Sequence, residues 1–435
     1  MMRLPPLWRP GLCWLVVLAP LFFISYGVAN HHAAGLPAVP SIVFDWERWV
    51  PLWPWTILPY WSIDLFYGLS LLICRDRLEL AHHARRLLTA QLIAVACFFL
   101  FPLRYSVSRP PLQGWSGRLF DALAGFDLPY NQAPSLHIVL LLILWDFYRR
   151  RTRGAARAVV HGWSLLIGVS VLTTWQHHFI DIPTGLLVGL LCLWLWPLDG
   201  ARPQWQWPAD GVRRRLALLY GAGAAALSLL AVLAGRTGWW LFWPAASLLL
   251  VALCYAGVGA GGFQKRSNGR HTLASRWLFA PYRLGAWVNA RLWTRCVPPA
   301  AEVCDGVWIG RLPRAGEPEH RQFDRILDVS AELSVRHPRL HALPQLDLVV
   351  PAATQLRAAA EHLQRLAGQG SVLVCCALGY SRSAAVVLAW LCLSGRAPSV
   401  AAAADLLRRA RPQVVLKPAL LLAVAQAIAL PSPTP

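Results

Sequence analysis

The sequence predicts a polytopic α-helical membrane domain of about eight helices, followed by a C-terminal α/β domain with a central sheet. Three observations carry this prediction. Of the 435 residues, 56% are hydrophobic and only 14% are charged, which is more apolar than a typical soluble domain. The apolar residues concentrate before about residue 260. From residue 303 onward, short apolar runs alternate with helical ones, as in α/β domains.

The predicted membrane helices are apolar segments of about 20 residues, the length that crosses the hydrocarbon core of a bilayer. They lie near 11–29, 53–74, 87–103, 134–148, 158–176, 180–197, 215–234 and 238–258. The first segment follows Arg3 and Arg9, as a signal peptide would, but no clear small-residue cleavage site follows it. We therefore interpret it as the first membrane helix. The 23 Trp residues also fit a membrane protein, whose indoles gather at the two interfaces.

The basic residues are distributed unevenly between alternate loops. Lys and Arg number 41 against 21 Asp and Glu, a formal net charge of +20, which in a soluble protein would suggest nucleic-acid binding. One set of loops holds Arg75, Arg77, Arg85, Arg86, Arg149, Arg150, Arg151, Arg153, Arg157, Arg202, Arg213, Arg214 and Arg215. The opposite loops hold only Arg48, Arg104, Arg109, Arg118 and Arg236. The positive-inside rule then predicts a multi-pass protein of the inner (cytoplasmic) membrane with both termini cytoplasmic, and no nucleic-acid partner.

Polar side chains cluster at helix ends on the sparsely basic face. The three clusters span residues 104–110, 134–137 and 177–181. Taken singly, Arg104 would be a snorkelling anchor, His137 a satisfied core histidine and Asp181 a helix cap. Together on one membrane face, they favour a functional site.

These residue types suit phosphoryl or phosphodiester transfer. An imidazole can attack phosphorus while a neighbouring carboxylate fixes its tautomer and stabilises the cation that forms. A second imidazole can protonate the leaving alkoxide, and a guanidinium can bind the nonbridging oxygens. This chemistry needs no metal and no cofactor.

Over roughly residues 50–200, the sequence resembles the type-2 phosphatidic acid phosphatase superfamily, especially its inositol phosphorylceramide and sphingomyelin synthase branch. The run Pro134-Ser-Leu-His137 resembles the second motif, with the Leu familiar from that branch. His177 and Asp181 have the spacing of the third motif, and Arg109 before Pro110 matches the end of the first.

The resemblance implies a role for each residue. His177 would be the nucleophile, Asp181 its orienting carboxylate and His137 the leaving-group acid. Ser135 and Arg109 would bind the phosphate. His178 remains an alternative nucleophile.

Two positions depart from the family's motifs. Pro102 stands where the first motif begins with Lys, so Arg104 is the candidate that replaces it as a phosphate ligand. Val171 follows Ser170 where the third motif has Arg. A site with one cation fewer suits a phosphodiester, which favours a transferase over a phosphatase.

A second candidate site lies at residues 376–383, between a predicted strand over 371–375 and a predicted helix over 384–393. Cys376 is followed after five residues by Arg382. Such a loop can surround a phosphate with backbone N–H groups at a positive helix end. The same field favours the thiolate, which is the nucleophilic form of cysteine.

The other residues of this loop fit the same chemistry. Arg382 can bind two phosphate oxygens, Gly379 permits a tight turn, and Ser383 can donate a hydrogen bond to the sulfur as it leaves. Gly379 and Ser381 are predicted phosphate-binding positions. The residues between Cys376 and Arg382 are uncharged, which gives no support to a polyphosphoinositide substrate.

Over about residues 300–430, the sequence closely resembles the dual-specificity protein tyrosine phosphatases. The runs 307–310 and 326–330 are similar to that family's early strands. The resemblance implies a general acid about thirty residues before the nucleophile, and Asp347 stands twenty-nine residues before Cys376. Asp328, in a predicted strand, is interpreted as structural. Cys375 occupies the position where the family has His.

These predictions combine into one architecture. The membrane domain covers 1–260 with a lipid-phosphate core at about 50–200, and the phosphatase-like domain covers 298–432. Between them, 261–297 is a basic juxtamembrane linker that lies along the anionic inner leaflet or is simply a solvated connection.

The predicted protein is an enzyme with two sites. One is an outward-facing, histidine-dependent lipid-phosphate phosphatase or phosphotransferase. The other is a cytoplasmic, cysteine-dependent hydrolase of phosphomonoesters. The expected partners are membrane lipids and a phosphorylated protein or small phosphomonoester, without metal or cofactor. The alternative is a membrane lipid sensor or scaffold with a degenerate outer site and a phosphoprotein-binding cytoplasmic domain.

Overall fold

The computed structural model describes residues 7–199, 203–207, 210–314, 317 and 322–431. Two compact units divide the chain, Met1–Leu198 and Asp199–Pro435. The sequence predicted a boundary near residue 260. The compact units instead divide between residues 198 and 199, which groups the last two predicted membrane helices with the α/β part. Arg3 and Arg202, used in the charge argument, lie outside the described residues, as does residue 432 at the end of the predicted phosphatase-like domain.

The first unit is helical. Its helices are α1 (Trp8–Ala34), α2 (Ile57–Leu72), α3 (Arg77–Leu100), α4 (Gly114–Ala124), α5 (Leu136–Arg149), α6 (Gly154–Thr173) and α7 (Asp181–Leu195). Helix α3 begins ten residues before the predicted start at 87, because the Asp76 side chain caps it by accepting a 2.8 Å bond from the backbone N–H of Glu79.

The second unit begins with an apolar helical pair. Helix α8 (Gly211–Leu233) is followed by a 3₁₀ segment (Gly235–Leu241), α9 (Phe242–Leu253) and a π-helical turn (Cys254–Val258). Two shorter helices follow, α10 (Leu273–Leu278) and α11 (Ala280–Trp293).

All eight predicted apolar segments are helical in the described part of the chain. Five helical segments there are long and apolar enough to cross a membrane: Trp8–Ala34, Arg77–Leu100, Gly154–Thr173, Gly211–Leu233 and Gly235–Val258. The remaining three, α2, α5 and α7, have 16, 14 and 15 residues. Membrane insertion of these helices remains a prediction.

The α/β part contains a five-stranded mixed sheet. The strands are β1 (Ala300–Cys304), β2 (Val307–Arg311), β3 (Arg325–Ser330), β4 (Leu340–Gln345) and β5 (Val372–Cys376), in the order β1-β2-β5-β3-β4. Strand β1 is antiparallel to β2, and the other neighbours are parallel. The helices that follow are α12 (Ala353–Ala367), α13 (Arg382–Leu393), α14 (Val400–Ala410) and α15 (Pro418–Ala429).

Strand β5 is central and every residue of it is buried. Its continuous apolar sequence is typical of a parallel strand covered on both faces. On one face, β5 and α13 share a core with α12 and α15. On the other face, Ala290 of α11 packs with Phe323 and Leu373.

The segment 261–297 is folded rather than a solvated connection. The Lys265 ammonium is buried and lies 2.5 Å from the Asp328 carboxylate on β3. The backbone N–H of Ala342, on β4, donates to the carbonyl of Ser267 at 3.1 Å. This segment therefore forms part of the second unit, because a buried ion pair and a backbone hydrogen bond attach it to the sheet.

Candidate active sites

Cys376 and Arg382 are joined by the short loop between β5 and α13. Cys376 is the last residue of β5, and Arg382 is the first residue of α13. The first N–H groups of a helix have no partner within the helix and carry its positive dipole end. Ser381, at the N-cap, makes no side-chain capping bond to them. The cysteine thus lies at the carboxyl end of a central strand, facing a helix start that can hold an anion.

Two groups contact the Cys376 sulfur. The Gly379 backbone N–H donates to Sγ at 3.2 Å, and the Ser383 hydroxyl oxygen lies 3.4 Å from it. The second contact brings the Ser383 hydroxyl within reach of the sulfur, and its role in stabilising the leaving sulfur remains a prediction.

Gly379 is required by the packing of this loop. Its φ is +76°, and a Cβ at this position would lie 2.3 Å from the carbonyl carbon of Gly310 on β2. The neighbouring Leu312 N–H donates to the Cys376 carbonyl at 2.9 Å. The loop therefore rests directly on the backbone of β2 and its extension.

The Arg382 guanidinium is buried and held by two carboxylates. Its Nη1 and Nη2 donate to the two Glu332 oxygens at 2.8 and 2.7 Å. Its Nη2 also lies 3.0 Å from Oδ1 of Asp347, and Nη1 donates to the Gln345 carbonyl at 3.0 Å. Its Nε is buried and has no hydrogen-bond partner among the described residues. An edge formed by Nε and Nη2 is the geometry that binds two oxygens of one phosphate.

Charge and burial set the protonation of this cluster. Burial acts to lower the pKa of Arg382, but Asp347 and Glu332 raise it well above its ordinary value. Burial acts to raise the pKa of Glu332, but the positive charge of Arg382 outweighs it and holds that pKa low. Arg382 and Glu332 are thus both ionised near neutral pH.

Asp347 differs from Glu332 in its electrostatic environment. Burial raises the pKa of its carboxyl, the charge of Glu332 adds to this effect, and Arg382 opposes it. The side chain remains about one-third exposed, at 32%. A carboxyl group that keeps its proton to higher pH than free Asp, and that stays accessible, suits general acid catalysis.

Cys375 lies on the opposite face of the sheet from Cys376, because successive strand side chains alternate. It is buried in the cluster around Leu373, whereas Cys376 belongs to the cluster around α13. Burial raises the pKa of Cys375 well above its ordinary value. Cys375 is therefore a core residue rather than part of the loop.

Two supporting residues of this site were missed in the sequence. Glu332 lies two residues beyond β3, and no spacing relates it to Arg382. Arg411 is buried and donates to the carbonyl of Gly379 at 3.1 Å from Nε and to that of Leu378 at 3.4 Å from Nη2. The Arg-Pro pair directly after α14 was the local sequence feature that could have drawn attention to Arg411.

In the first unit, His177 and Asp181 form a buried pair. The Nδ1 atom of His177 lies 3.1 Å from Oδ2 of Asp181, which also accepts the His178 N–H at 3.0 Å. The His137 ring centroid lies 6.4 Å from that of His177. The His137 ring stacks on Tyr60 at 3.8 Å. The structure thus brings together the three residues that the sequence predicted as nucleophile, orienting carboxylate and acid.

Both ring nitrogens of His178 have other partners. Its Nε2 accepts the Ser106 N–H at 3.2 Å, so its Nδ1 carries the proton and donates to Glu47 at 2.9 Å. Tyr105 stacks on the ring at 4.3 Å. In His177 only Nδ1 has a hydrogen bond among the described residues. This difference favours His177 over His178 as the nucleophile.

The predicted phosphate ligands of this site are unequal. The Ser135 hydroxyl caps α5 by accepting the Ile138 N–H at 3.4 Å. With the Gln176 amide oriented so that its oxygen faces Arg109, the guanidinium donates to that oxygen at 3.1 and 3.2 Å. Arg104 is exposed. The structure therefore keeps Ser135 and Arg109 in contact with the segments around the histidines but leaves the Arg104 side chain in an exposed position.

Val171 occupies the position where the resembled family has Arg. Its side chain is fully buried in an apolar cluster with Ile57, Tyr60 and Phe120. Its carbonyl accepts the His177 N–H at 3.1 Å. The position is therefore built for an apolar side chain.

Within the described residues, no group of three or more His, Cys, Asp or Glu is arranged to hold a metal ion.

No protein-family model matches the sequence, and no curated protein matches it either. Several solved structures do. Tk-PTP in its active form is 25% identical, over 30% of this chain and 97% of that one, with a TM-score of 0.28. Human DUSP28 is 23% identical, over 30% and 93%, with a TM-score of 0.27. A mouse putative dual specificity phosphatase complexed with zinc tungstate is 27% identical, over 30% and 86%, with a TM-score of 0.27.

Part of the chain is similar to dual-specificity and tyrosine phosphatase domains. The similarity covers 30% of its length. The resemblance to type-2 phosphatidic acid phosphatases has no counterpart in these comparisons and remains a prediction.

Proposed function

We propose that the C-terminal part of the chain, predicted as 298–432, is a cysteine-dependent hydrolase of phosphomonoesters. The observation that carries this proposal is the buried Nε of Arg382 beside the Cys376 loop, which has no hydrogen-bond partner in the described part of the chain. A buried N–H without a partner is costly. A phosphate bound in the loop would satisfy it and would lie in front of the sulfur.

The chemistry proceeds in two steps. In the first, the Cys376 thiolate attacks phosphorus, an S–P bond forms and the P–O bond to the alcohol breaks. Asp347 gives its proton to the leaving oxygen. In the second step, water attacks the phosphocysteine, the S–P bond breaks and Asp347 accepts a proton from the water. The Ser383 hydroxyl stabilises the departing thiolate.

Arg382 can bind substrate because the two edges of its guanidinium have different partners. Glu332 holds the end formed by Nη1 and Nη2. On the other edge, Nε has no hydrogen-bond partner among the described residues, and Nη2, besides its bond to Glu332, lies 3.0 Å from Oδ1 of Asp347. An incoming phosphate would take this edge and release the Asp347 carboxyl for proton transfer, while Glu332 keeps the guanidinium in position.

The test is hydrolysis of p-nitrophenyl phosphate by the full chain in detergent. Cys376→Ser should abolish it, because a serine hydroxyl is hardly ionised where a thiol is. Cys375→Ala is the matched control and should remain active, since that side chain lies on the other face of the sheet. Full activity in Cys376→Ser would refute the proposal.

We further propose that residues of about 50–200 hold a histidine-dependent lipid-phosphate phosphatase or phosphotransferase. The supporting observation is the buried pair of His177 and Asp181 with His137 beside it. In this proposal the chain is a multi-pass protein of the inner membrane with both termini cytoplasmic. The histidine site then faces outward, and the cysteine site faces the cytoplasm.

The alternative for the outer site is a lipid sensor or scaffold. The burial of Val171 in an apolar cluster favours it, because a phosphate-binding cation has no room at that position. A sensor would bind a lipid headgroup without turnover. The substitution of His177 described in the Discussion separates the two functions.

A further inference from the structure

The apolar helical pair of the second unit has the properties of a membrane hairpin. The segments Gly211–Leu233 and Gly235–Val258 each contain an 18-residue stretch of high mean hydropathy, 2.1 and 1.9. Exposed side chains on them include Leu218, Leu229, Leu233 and Leu249. So much exposed apolar surface is unfavourable in water but favourable in the hydrocarbon of a bilayer.

One end of this hairpin carries the features of a cytoplasmic membrane interface. Arg213, at the start of α8, reaches the Cys254 carbonyl at the end of the second segment, with an Nη2–O distance of 3.5 Å. Two further arginines follow Arg213 in the chain. The ring of Trp205 packs against Gly257, and Trp207 is exposed close by in the sequence. Arginine clusters and tryptophans mark the cytoplasmic interface of membrane helices.

The general acid of the cysteine site is attached to this same end. The Tyr255 hydroxyl donates to the backbone carbonyl of Asp347 at 3.0 Å. Tyr255 is buried and stacks on Tyr220 of α8 with ring centroids 5.4 Å apart. Asp347 is therefore bonded directly to the interface end of the hairpin.

Several exposed apolar residues adjoin the cysteine site, either in the chain or through a hydrogen bond, and together they form an apolar rim. Leu348 follows Asp347 directly in the chain and is 64% exposed, and Val350, two residues further on, is exposed as well. Trp293 is 68% exposed, and its carbonyl accepts the hydroxyl of Tyr380, a residue of the cysteine loop, at 3.2 Å. The Val415 N–H donates to the Tyr380 carbonyl at 2.8 Å, and Val415 is also exposed. A rim of this composition favours lipid over a charged, water-soluble substrate.

We infer that the cysteine site hydrolyses a membrane lipid that carries a terminal phosphomonoester. This inference rests on the proposed cysteine-dependent hydrolysis and names its substrate class. The bond from Tyr255 to Asp347 sets the site at the bilayer surface, and the apolar rim receives the lipid body. The uncharged loop between Cys376 and Arg382 suits a single phosphate.

The reaction balances without a further reactant other than water. The Cys376 sulfur forms a bond to phosphorus, and the bond from phosphorus to the lipid oxygen breaks. That oxygen takes the Asp347 proton, and the lipid alcohol remains in the membrane. Water then cleaves the S–P bond, inorganic phosphate leaves, and Asp347 regains a proton.

The experiment uses the full chain with His177→Ala, so that the proposed outer site does not contribute, in phosphatidylcholine nanodiscs. Initial rates are compared at equal bulk concentration for embedded dioleoyl phosphatidic acid, glycerol 3-phosphate and a phosphotyrosyl peptide. Phosphatidic acid should be hydrolysed at least about tenfold faster than either soluble compound, because only the lipid contacts the apolar rim. Adding Cys376→Ser should abolish this hydrolysis.

A rim variant tests the role of the surface. Leu348 has a φ of +58°, so Leu348→Asn keeps a backbone conformation that Asn tolerates. It should lower the ratio of phosphatidic acid to p-nitrophenyl phosphate hydrolysis about tenfold. Leu422→Asn is the control, since Leu422 is 60% exposed on α15, and it should leave this ratio unchanged.

Four outcomes would overturn the inference. Equal rates for lipid and soluble compounds would do so, as would preference for the phosphopeptide. Lipid hydrolysis that persists in Cys376→Ser would assign it to another site. In the first two cases, loss of p-nitrophenyl phosphate hydrolysis in Cys376→Ser would leave the proposed cysteine chemistry standing. Absence of all hydrolysis would refute both the lipid-substrate inference and the proposed cysteine chemistry.

Discussion

Glu332 binds both terminal nitrogens of Arg382, at 2.8 and 2.7 Å, and leaves the buried Nε of that guanidinium without a partner among the described residues. The carboxylate fixes the plane of the guanidinium while the other edge stays available. Glu332 is therefore a positioning residue for phosphate binding. It compensates the buried charge of Arg382 before any substrate arrives.

Glu332→Gln should lower both stability and phosphate affinity. Removing one partner of a buried ion pair costs about 3–5 kcal/mol, and the contact of Arg382 with Asp347 reduces this loss. The KM for p-nitrophenyl phosphate should rise more than kcat falls. Thermal unfolding and steady-state kinetics of the full chain measure the two effects.

The stability effect of Glu332 has a defined pH dependence. Because the folded-state pKa of Glu332 is lowered from 4.5, its contribution is present above that value and is lost as the pH falls through the folded-state pKa. The difference in stability between the wild type and Glu332→Gln should therefore shrink in acid. A difference that grows in acid would contradict the assigned ion pair.

Asp347 should produce the alkaline limb of the pH profile. Its raised pKa keeps the carboxyl protonated to higher pH than free Asp, so activity should fall as the pH rises through that value. Asp347→Asn should remove this limb and slow phenyl phosphate hydrolysis by about 10²–10⁴-fold. The loss should be smaller for p-nitrophenyl phosphate, whose leaving group needs less protonation. Equal losses for the two esters would count against Asp347 as the acid.

Gly379→Ala should destroy the cysteine loop. The added Cβ would lie 2.3 Å from the Gly310 carbonyl carbon, in a backbone conformation with positive φ. Hydrolysis of p-nitrophenyl phosphate should be lost, and binding of orthovanadate should weaken. Gly368→Ala is the control, because a Cβ there meets no atom within 4 Å. A Gly379→Ala chain with normal activity would show that the loop takes a different shape.

His177→Ala and His178→Ala should differ at the outer site. His177→Ala should abolish lipid-directed turnover in a Cys376→Ser background, because the Nε2 of His177 is the nitrogen available for attack. His178→Ala should reduce turnover less, since this ring holds Glu47 and Ser106 rather than substrate. Release of phosphate or of a headgroup from labelled phospholipids measures both. Loss only in His178→Ala would reverse the assignment, and binding without turnover in the wild type would favour the sensor.

The sequence predicts the parts of the fold that depend on local pattern. The loop from Cys376 to Arg382 is defined by seven positions, and its strand and helix follow from the apolar runs beside it. Glu332 lies 50 residues from Arg382, and Arg411 lies 32 residues from Gly379. Such pairs are brought together by the order in which strands and helices pack. Hydrophobic periodicity along the chain does not predict that order.

The boundary between the two compact units could not be predicted from local sequence composition either. Composition changes near residue 260, but the compact units divide between residues 198 and 199. Tyr255 and Lys265 attach the apolar hairpin and the following segment to Asp347 and Asp328. A linker with a high Arg content and a folded segment with a buried Lys look alike in composition, and only the tertiary contacts distinguish them.

The most direct test of the central claim is the covalent intermediate. The full chain is mixed with p-nitrophenyl phosphate, quenched within milliseconds and digested for mass spectrometry. We expect phosphate on the peptide that contains Cys376, bound to that sulfur, and none on it in the Cys376→Ser variant. A chain that hydrolyses the ester but carries its phosphate on Cys375, on a histidine or on no residue would contradict the account.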